Sequence, residues 1–150
     1  MSPDIILSRL RRFLLVFSGL LFAGALGELW LTGHTENFVQ WIPFGLCGLG
    51  LLVVLLALFR PRRGVLLALR ACMAAVTLGS LYGIYEHVAN NVAFLQEIDP
   101  GAPTGDLVLG ALGGANPLLA PGVLTAAAVL AMAASYYHSA LKRDGAALGE

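Results

Sequence analysis

The sequence predicts an all-α integral membrane protein, a bundle of four transmembrane helices with a short additional helix on its outer surface. Hydrophobic residues make up 58% of the 150 residues and charged residues only 12%, whereas a soluble domain carries about 25% charged residues. The apolar residues are also gathered in four runs, and a helix needs roughly 20 of them to cross a bilayer. Nine basic residues balance nine acidic ones, so net charge gives no sign of nucleic-acid binding.

The four runs are predicted as helices because a spanning segment must satisfy its backbone hydrogen bonds internally. They cover about residues 13–31, 41–59, 65–89 and 117–137 of one domain, residues 1–150. The segment 96–116 is predicted to form an outer cap that contains the short helix, capped near Thr104 or Asp106. Asn116 and Pro117 have the residue types of a helix cap and first turn, so they are predicted to begin the fourth helix.

Basic residues predict the orientation of the bundle. They occur before the first run, around the turn between the second and third runs, and after the fourth run. These residues are Arg9, Arg11, Arg12, Arg60, Arg62, Arg63, Arg70, Lys142 and Arg143. The other two connections contain no Lys or Arg. Since Lys and Arg favour cytoplasmic loops, both termini are predicted to lie in the cytoplasm.

Small residues recur at intervals of four on two of the predicted helices. They are Gly19, Ala23 and Gly27 on the first helix, and Ala75, Gly79 and Gly83 on the third. Such a stripe allows two helix backbones to approach closely. The spacing predicts close packing inside the bundle or, alternatively, a contact face between two copies of the chain.

Polar side chains concentrate at the predicted outer end of the bundle. This polar cluster comprises Glu28, His34, Glu36, Glu86, His87, Asn90 and Asn91. We expect His87 or Glu86 to contact Glu28 or the loop that carries His34 and Glu36. A hydrogen-bonded cluster that closes the bundle is the simplest interpretation. The alternatives are a divalent-metal site made from Glu28, His34, Glu86 and His87, or a haem held between the two histidines.

These residues lack the fixed spacing of a known metal or catalytic motif, so no catalytic or cofactor-binding residue is assigned. The sequence favours a non-enzymatic accessory or partner subunit, or a small homo-oligomer, in contact with the lipid bilayer. The polar cluster leaves open a small transporter or a protein that binds a divalent metal. A membrane redox enzyme or a haem-binding subunit is the second alternative.

Two stretches of the sequence resemble a known group of proteins. The residues Gly33-His34-Thr35-Glu36-Asn37, followed by Gln40-Trp41-Ile42-Pro43-Phe44, are similar to a segment of small bacterial inner-membrane proteins that have no assigned activity. The residues Asn116-Pro117-Leu118-Leu119-Ala120-Pro121-Gly122 are similar to the entry of their fourth helix. The resemblance implies four helices and a bacterial inner-membrane location, and it implies no activity.

Overall fold

The computed structural model describes residues 2–36 and 38–141, and its regular secondary structure in these residues is entirely helical. The five α-helices are α1 (Pro3–Leu31), α2 (Phe38–Phe59), α3 (Arg63–Ile98), α4 (Thr104–Leu112) and α5 (Leu119–Ala134). A short 3-10 helix, Ser139–Leu141, follows α5. The predicted all-α fold is therefore confirmed for the described part of the chain.

Two helices are longer than the apolar runs that predicted them. Helix α1 begins at Pro3, because proline is tolerated in a first helical turn. Helix α3 has 36 residues, which corresponds to about 54 Å, and it continues nine residues beyond the predicted end at residue 89. That extension contains Ala, Leu, Gln and Glu, all of which are good helix formers.

Three of the helices, α1, α2 and α3, are long and apolar enough to cross a membrane. Helix α5 is apolar but has only 16 residues. It is about 24 Å long, which is shorter than the roughly 30 Å of a bilayer core. The fourth predicted helix, about residues 117–137, is therefore shortened to Leu119–Ala134, which by itself is too short to cross a bilayer core.

The four longer helices form a ring in which each packs mainly against two neighbours, and α2 and α5 also touch across the ring. Helix α1 packs against α2 and α5, and α3 packs against α2 and α5, while α4 packs against α3. Helices α1 and α3 are diagonal partners, since no Cα atom of one lies within 8 Å of a Cα atom of the other. The predicted polar cluster is therefore divided between two helices that do not contact each other.

Close packing between α1 and its neighbours depends on small side chains. The Phe22 ring is fully buried and lies against Gly50 of α2, where an added Cβ would come within 2.8 Å of the ring. On the other side of α1, the buried Ser18 hydroxyl donates a 2.7 Å hydrogen bond to the carbonyl of Ala127 in α5. These contacts fix α1 between α2 and α5.

The predicted small-residue stripes are only partly buried. A Cβ added at Gly79 would meet Leu46 of α2 at 2.5 Å, and one added at Gly83 would meet Pro121 of α5 at 3.4 Å. Gly19 also packs against α2. In contrast, the stripe does not pack within the bundle at Ala23, Gly27 and Ala75, which are exposed. These three positions lie on helix surfaces that face away from the neighbouring helices.

The predicted helix caps are also corrected by the structure. The N-cap of α4 is Pro103 rather than Thr104 or Asp106. Helix α5 begins at Leu119 with Leu118 as its N-cap, so Asn116 and Pro117 do not start it. Both residues make other contacts, because α3 passes beside them.

Candidate functional site

Helices α4 and α5 follow one another along α3, with a break in between. Contacts to this pair occur every fourth residue of α3: Gly83 lies against Pro121, His87 against Pro117, Asn91 against Ala111 and Asn116, and Leu95 against Gly110. Residues four apart form one ridge of a helix. Helices α4 and α5 therefore run antiparallel to α3 as a single broken helix, interrupted at residues 113–118.

Asn91 holds the break together. Its amide nitrogen donates to the carbonyls of Ala111 (2.9 Å) and Asn116 (3.0 Å). Its side-chain oxygen accepts from the backbone N–H (2.9 Å) and the side-chain amide (3.0 Å) of Asn116. A carboxamide has two donors and two acceptor lone pairs, so the whole capacity of Asn91 is used. The side chain is 1% exposed.

Gly114 allows the backbone to pass close to the Asn91 side chain. A Cβ at that position would overlap the Asn91 carboxamide, so glycine is required for the chain to pass this closely. Next to it, the His87 ring nitrogen Nδ1 lies 2.9 Å from the Pro117 carbonyl oxygen. A carbonyl can only accept, so Nδ1 carries the proton and donates. We refer to Asn91 and His87 with their partners as the amide seal.

The structure does not gather the predicted polar cluster. Asn91 and His87 bind the α4–α5 break, whereas Glu28 is exposed on α1, the helix diagonal to α3. His34 and Glu36 lie in the turn after α1. The expectation that His87 or Glu86 would contact Glu28 therefore gains no support, since the partners of His87 come from the α4–α5 break instead.

Glu86 and Asn90 lie on another face of α3. Glu86 lies beside the Tyr82 hydroxyl one turn earlier, and Asn90 is exposed. Among residues 2–36 and 38–141, no group of three or more His, Cys, Asp and Glu side chains is placed to hold a metal ion. The four candidate ligands, Glu28, His34, Glu86 and His87, thus do not form a common coordination site in this arrangement.

The segment beyond the amide seal forms a second feature, which we name the acidic head and define as residues 88–112. Because His87 lies level with the start of α5, the eleven following residues of α3 extend about 16 Å past it, and α4 packs back on them. The acidic head contains Glu97, Asp99 and Asp106 and no Lys or Arg. Its exposed apolar side chains are Phe94, Ile98, Val108, Leu109 and Leu112.

At the opposite end of the bundle, arginine side chains bind the end of α5. Arg70 of α3 donates from Nε to the Ser135 hydroxyl oxygen at 2.8 Å and from Nη2 to the Ser135 carbonyl at 3.2 Å. Its guanidinium carbon also lies 5.8 Å from the centre of the Tyr136 ring. Arg11 of α1 donates from Nη2 (2.8 Å) and Nε (3.3 Å) to the Tyr136 carbonyl. We refer to Arg70, Arg11 and their partners as the arginine seal.

A cavity opens beside the arginine seal, between all four helices of the ring. Its polar wall carries Arg11, Arg12 and His138, and its apolar wall includes Leu15, Ala57, Leu66, Leu69 and Ala134. Partial burial, and then the neighbouring Arg11 guanidinium, hold the pKa of His138 below its usual value. The lining is therefore cationic on one side and hydrocarbon on the other.

Sequence reasoning used the arginines only to orient the bundle and did not identify their contacts. The position of Arg70 in the sequence gives no hint of its partner, Ser135, which lies 65 residues later and just beyond α5. One signal was available: Ala127, Ala131 and Ser135 also recur every four residues, and all three are buried.

No protein-family model, curated protein or solved structure matches this chain. The resemblance to small bacterial inner-membrane proteins therefore stays a prediction. Functional inference rests on the two seals, the acidic head and the cavity.

Proposed function

We propose that this chain is a bacterial inner-membrane protein that crosses the membrane four times and serves as a non-enzymatic accessory subunit. In this proposal both termini are cytoplasmic, and the acidic head projects from the outer surface to bind a partner membrane protein. The location in a bacterial inner membrane follows the sequence resemblance. The four crossings are inferred from the hydrogen bonds at both ends of α5, and the partner is inferred from the surface of the acidic head.

The closure of α5 at both ends is the observation that carries the four-crossing proposal. A helix of 16 residues leaves unpaired carbonyls within the depth of a bilayer, where each costs several kcal/mol. Side chains of the neighbouring helices bind the carbonyls of Asn116, Pro117, Ser135 and Tyr136. Such closure would allow a short helix with irregular flanks to complete the crossing, because irregular backbone is tolerated where protein surrounds it.

The charge distribution supports the proposed orientation. Arg11, Arg12 and Arg70 lie around the end of α5 together with the turn between α2 and α3, and that turn supplies Arg60, Arg62 and Arg63. The acidic head at the other end has three carboxylates and no basic residue. The positive-inside rule assigns the arginine end to the cytoplasm.

The composition of the acidic head favours a protein partner. It combines exposed apolar side chains such as Leu109 and Phe94 with the carboxylates of Glu97, Asp99 and Asp106. An anionic bilayer surface would repel these carboxylates, since membrane-surface helices use basic residues. A partner with an apolar patch and basic residues around it complements both features.

Photo-crosslinking in the bacterial cells that make this protein tests the proposal. A benzoylphenylalanine replaces Leu109 of the head, which is 70% exposed, or Leu20 of α1, which is 64% exposed and serves as the matched lipid-facing control. We expect an adduct of one discrete size at Leu109 and none at Leu20. The substitution Asp106→Lys should lower the yield at Leu109 several-fold, because it removes the charge complementarity.

Two results would overturn the accessory-subunit proposal. One is an adduct of twice the mass of the chain that contains only this chain, since it would identify a homo-oligomer. The other is an equal yield at Leu109 and Leu20, or a yield at Leu109 that Asp106→Lys leaves unchanged. The purified protein in neutral detergent should give no adduct at Leu109.

Cysteine labelling tests the orientation separately. Cys47 and Cys72 are buried and unpaired, so both are first replaced with Ala. Single cysteines at the exposed positions Thr35 and Thr104 should then react with an impermeant maleimide added outside. A cysteine at Arg62, in the turn between α2 and α3, should react only after the membrane is opened. External labelling of Arg62→Cys would show that the proposed orientation is inverted.

A further inference from the structure

The cavity beside the arginine seal has the composition of an anion-binding site. It is formed by α1, α2, α3, the end of α5 and the segment after it, and it encloses about 120 Å³. This volume is smaller than the roughly 300–1,000 Å³ of sites that enclose drug-sized molecules, so the cavity can enclose only a small group. No Asp or Glu of the described residues lines it, whereas Arg11, Arg12 and His138 do.

The three basic side chains of the cavity differ in what they can still bind. Arg11 uses Nε and one N–H of Nη2 on the Tyr136 carbonyl, which leaves three of the five guanidinium donors. His138 accepts the backbone N–H of Ala140 at Nδ1, at 3.2 Å, so Nε2 carries its proton. Arg12 is exposed and lines both the cavity and the adjoining cleft formed with Asp4, Ser8 and Arg9.

We propose that this cavity binds a phosphate group, with Arg12 and the remaining donors of Arg11 on its oxygens and His138 as a third donor. Guanidinium groups form paired hydrogen bonds with phosphate oxygens. Basic recesses between membrane helices are suited to anionic lipid headgroups. The phosphate can belong to such a headgroup or to a soluble phosphate compound, because both present the same oxygens.

The apolar wall closes the inner end of the cavity. Ala57, Ala134, Leu66 and Leu69 are almost fully buried, so they offer little surface to a ligand. The basic side chains of the polar wall therefore carry the proposed binding. The proposal does not depend on which side of the membrane faces the cytoplasm, so it can fail while the accessory-subunit proposal stands, and the reverse also holds.

Binding to purified full-length protein in neutral detergent provides the test. One arm adds mixed micelles of phosphatidylglycerol in phosphatidylcholine, with phosphatidylcholine alone as the reference. The other arm adds inorganic phosphate, with chloride at matched ionic strength. In either arm we expect saturable binding of one phosphate compound per chain, measured by native mass spectrometry and by the rise of the melting temperature.

The variants identify the residues that bind. Arg12→Gln should weaken binding about tenfold or more, because it removes a charge-assisted pair of hydrogen bonds. Ser8→Phe should also weaken binding, since Ser8 lines the mouth and the ring would block it without changing the charge. Arg62→Gln removes the same charge at the same end of the bundle, outside the residues that line the cavity, and should leave binding unchanged.

Each outcome bears on the proposal. Binding of phosphatidylglycerol but not of inorganic phosphate would support it and identify a lipid headgroup as the source, while binding in the phosphate arm would support it with a soluble source. The proposal is overturned if neither arm shows saturable binding. It is equally overturned if Arg12→Gln and Arg62→Gln weaken binding to the same extent, because that result indicates general attraction to a basic surface.

Discussion

The two ends of α5 face the same physical problem and meet it with different chemistry. At the start of α5, the carboxamide of Asn91 and the imidazole of His87 bind the flanking backbone. At its end, the guanidinium groups of Arg70 and Arg11 bind the carbonyls of Ser135 and Tyr136. Both ends supply hydrogen-bond donors to carbonyls of the irregular backbone that flanks the helix.

The two ends differ in the hydrogen-bonding capacity that the protein leaves unused. The carboxamide of Asn91 makes four hydrogen bonds within the protein, so its hydrogen-bonding capacity is fully used. Guanidinium groups have five donors, and the arginine seal retains some of them beside an open cavity. The saturated end should therefore be sensitive to any change of shape, and the arginine end should be sensitive to charge and to anions.

Asn91→Leu should cause the largest loss of stability. Leucine has the same branched shape but a larger volume, and it leaves the Ala111 carbonyl and the Asn116 backbone without their partners, which together costs about 3–5 kcal/mol. Thermal unfolding of the purified protein in detergent measures the loss. Asn90→Leu is the matched control, since Asn90 is the exposed neighbour on the same helix. Equal melting temperatures for the two variants would contradict the role of Asn91.

Arg70→Met should cost less, about 1–3 kcal/mol, because Ser135 keeps a second bond when Arg70 is removed. The Ser135 hydroxyl also donates to the Met132 carbonyl at 2.7 Å. Arg70→Lys should recover only part of the loss, since an ammonium group cannot reproduce the two directed bonds. Arg63→Met, on the exposed first turn of α3, is the control. Full recovery with Lys would show that charge rather than hydrogen-bond geometry closes this end.

The contrast also indicates what the sequence could predict. The apolar runs predicted where α1, α2 and α3 lie, because burial in lipid is a property of each segment by itself. The ends of α3 and α5 were less predictable. The third apolar run predicted an end near residue 89, yet α3 continues to Ile98 because α4 packs on it and Asn91 finds partners there.

Partners of single side chains were not predictable in the same way. We expected His87 or Glu86 to contact Glu28 or the loop that carries His34 and Glu36, whereas His87 binds the Pro117 carbonyl. Short turns place α1 and α3 on either side of α2, and α5 then occupies the position next to α3. The cavity near Arg12 was not predicted, because it lies between four helices and no single segment of the sequence indicates it.

A change of pH should act on the arginine end through His138, with a smaller effect on stability than the substitutions above. The folded protein holds the pKa of His138 below its usual value through burial and the Arg11 charge, so the unfolded chain takes up the proton first. The contribution of neutral His138 to stability is present above about pH 6.5 and is lost as the pH falls below that value.

Melting temperatures at pH 7.5 and 5.5 test this expectation. The native chain should lose more stability on acidification than His138→Gln, and the difference should be smaller than the effect of either seal, because His138 is partly exposed to solvent. The cations that line the cavity with His138 are Arg11 and Arg12. Addition of phosphatidylglycerol should reduce the difference, since a bound phosphate favours the protonated ring. The expectation fails if both proteins respond identically to acid.

Added zinc should have the smallest effect on stability, and it tests whether His87 of the amide seal belongs to a metal site. His87 donates from Nδ1 to the Pro117 carbonyl, which leaves Nε2 as its one ligand atom, while Glu28 lies on the diagonal helix. A stable zinc site needs three or four ligands, so added zinc should leave the melting temperature unchanged. A rise that His87→Ala abolishes would instead show that Glu28, His34, Glu86 and His87 come together around a metal. Such a rise would mean that α1 and the turn after it move towards α3, since Glu28 lies on the diagonal helix.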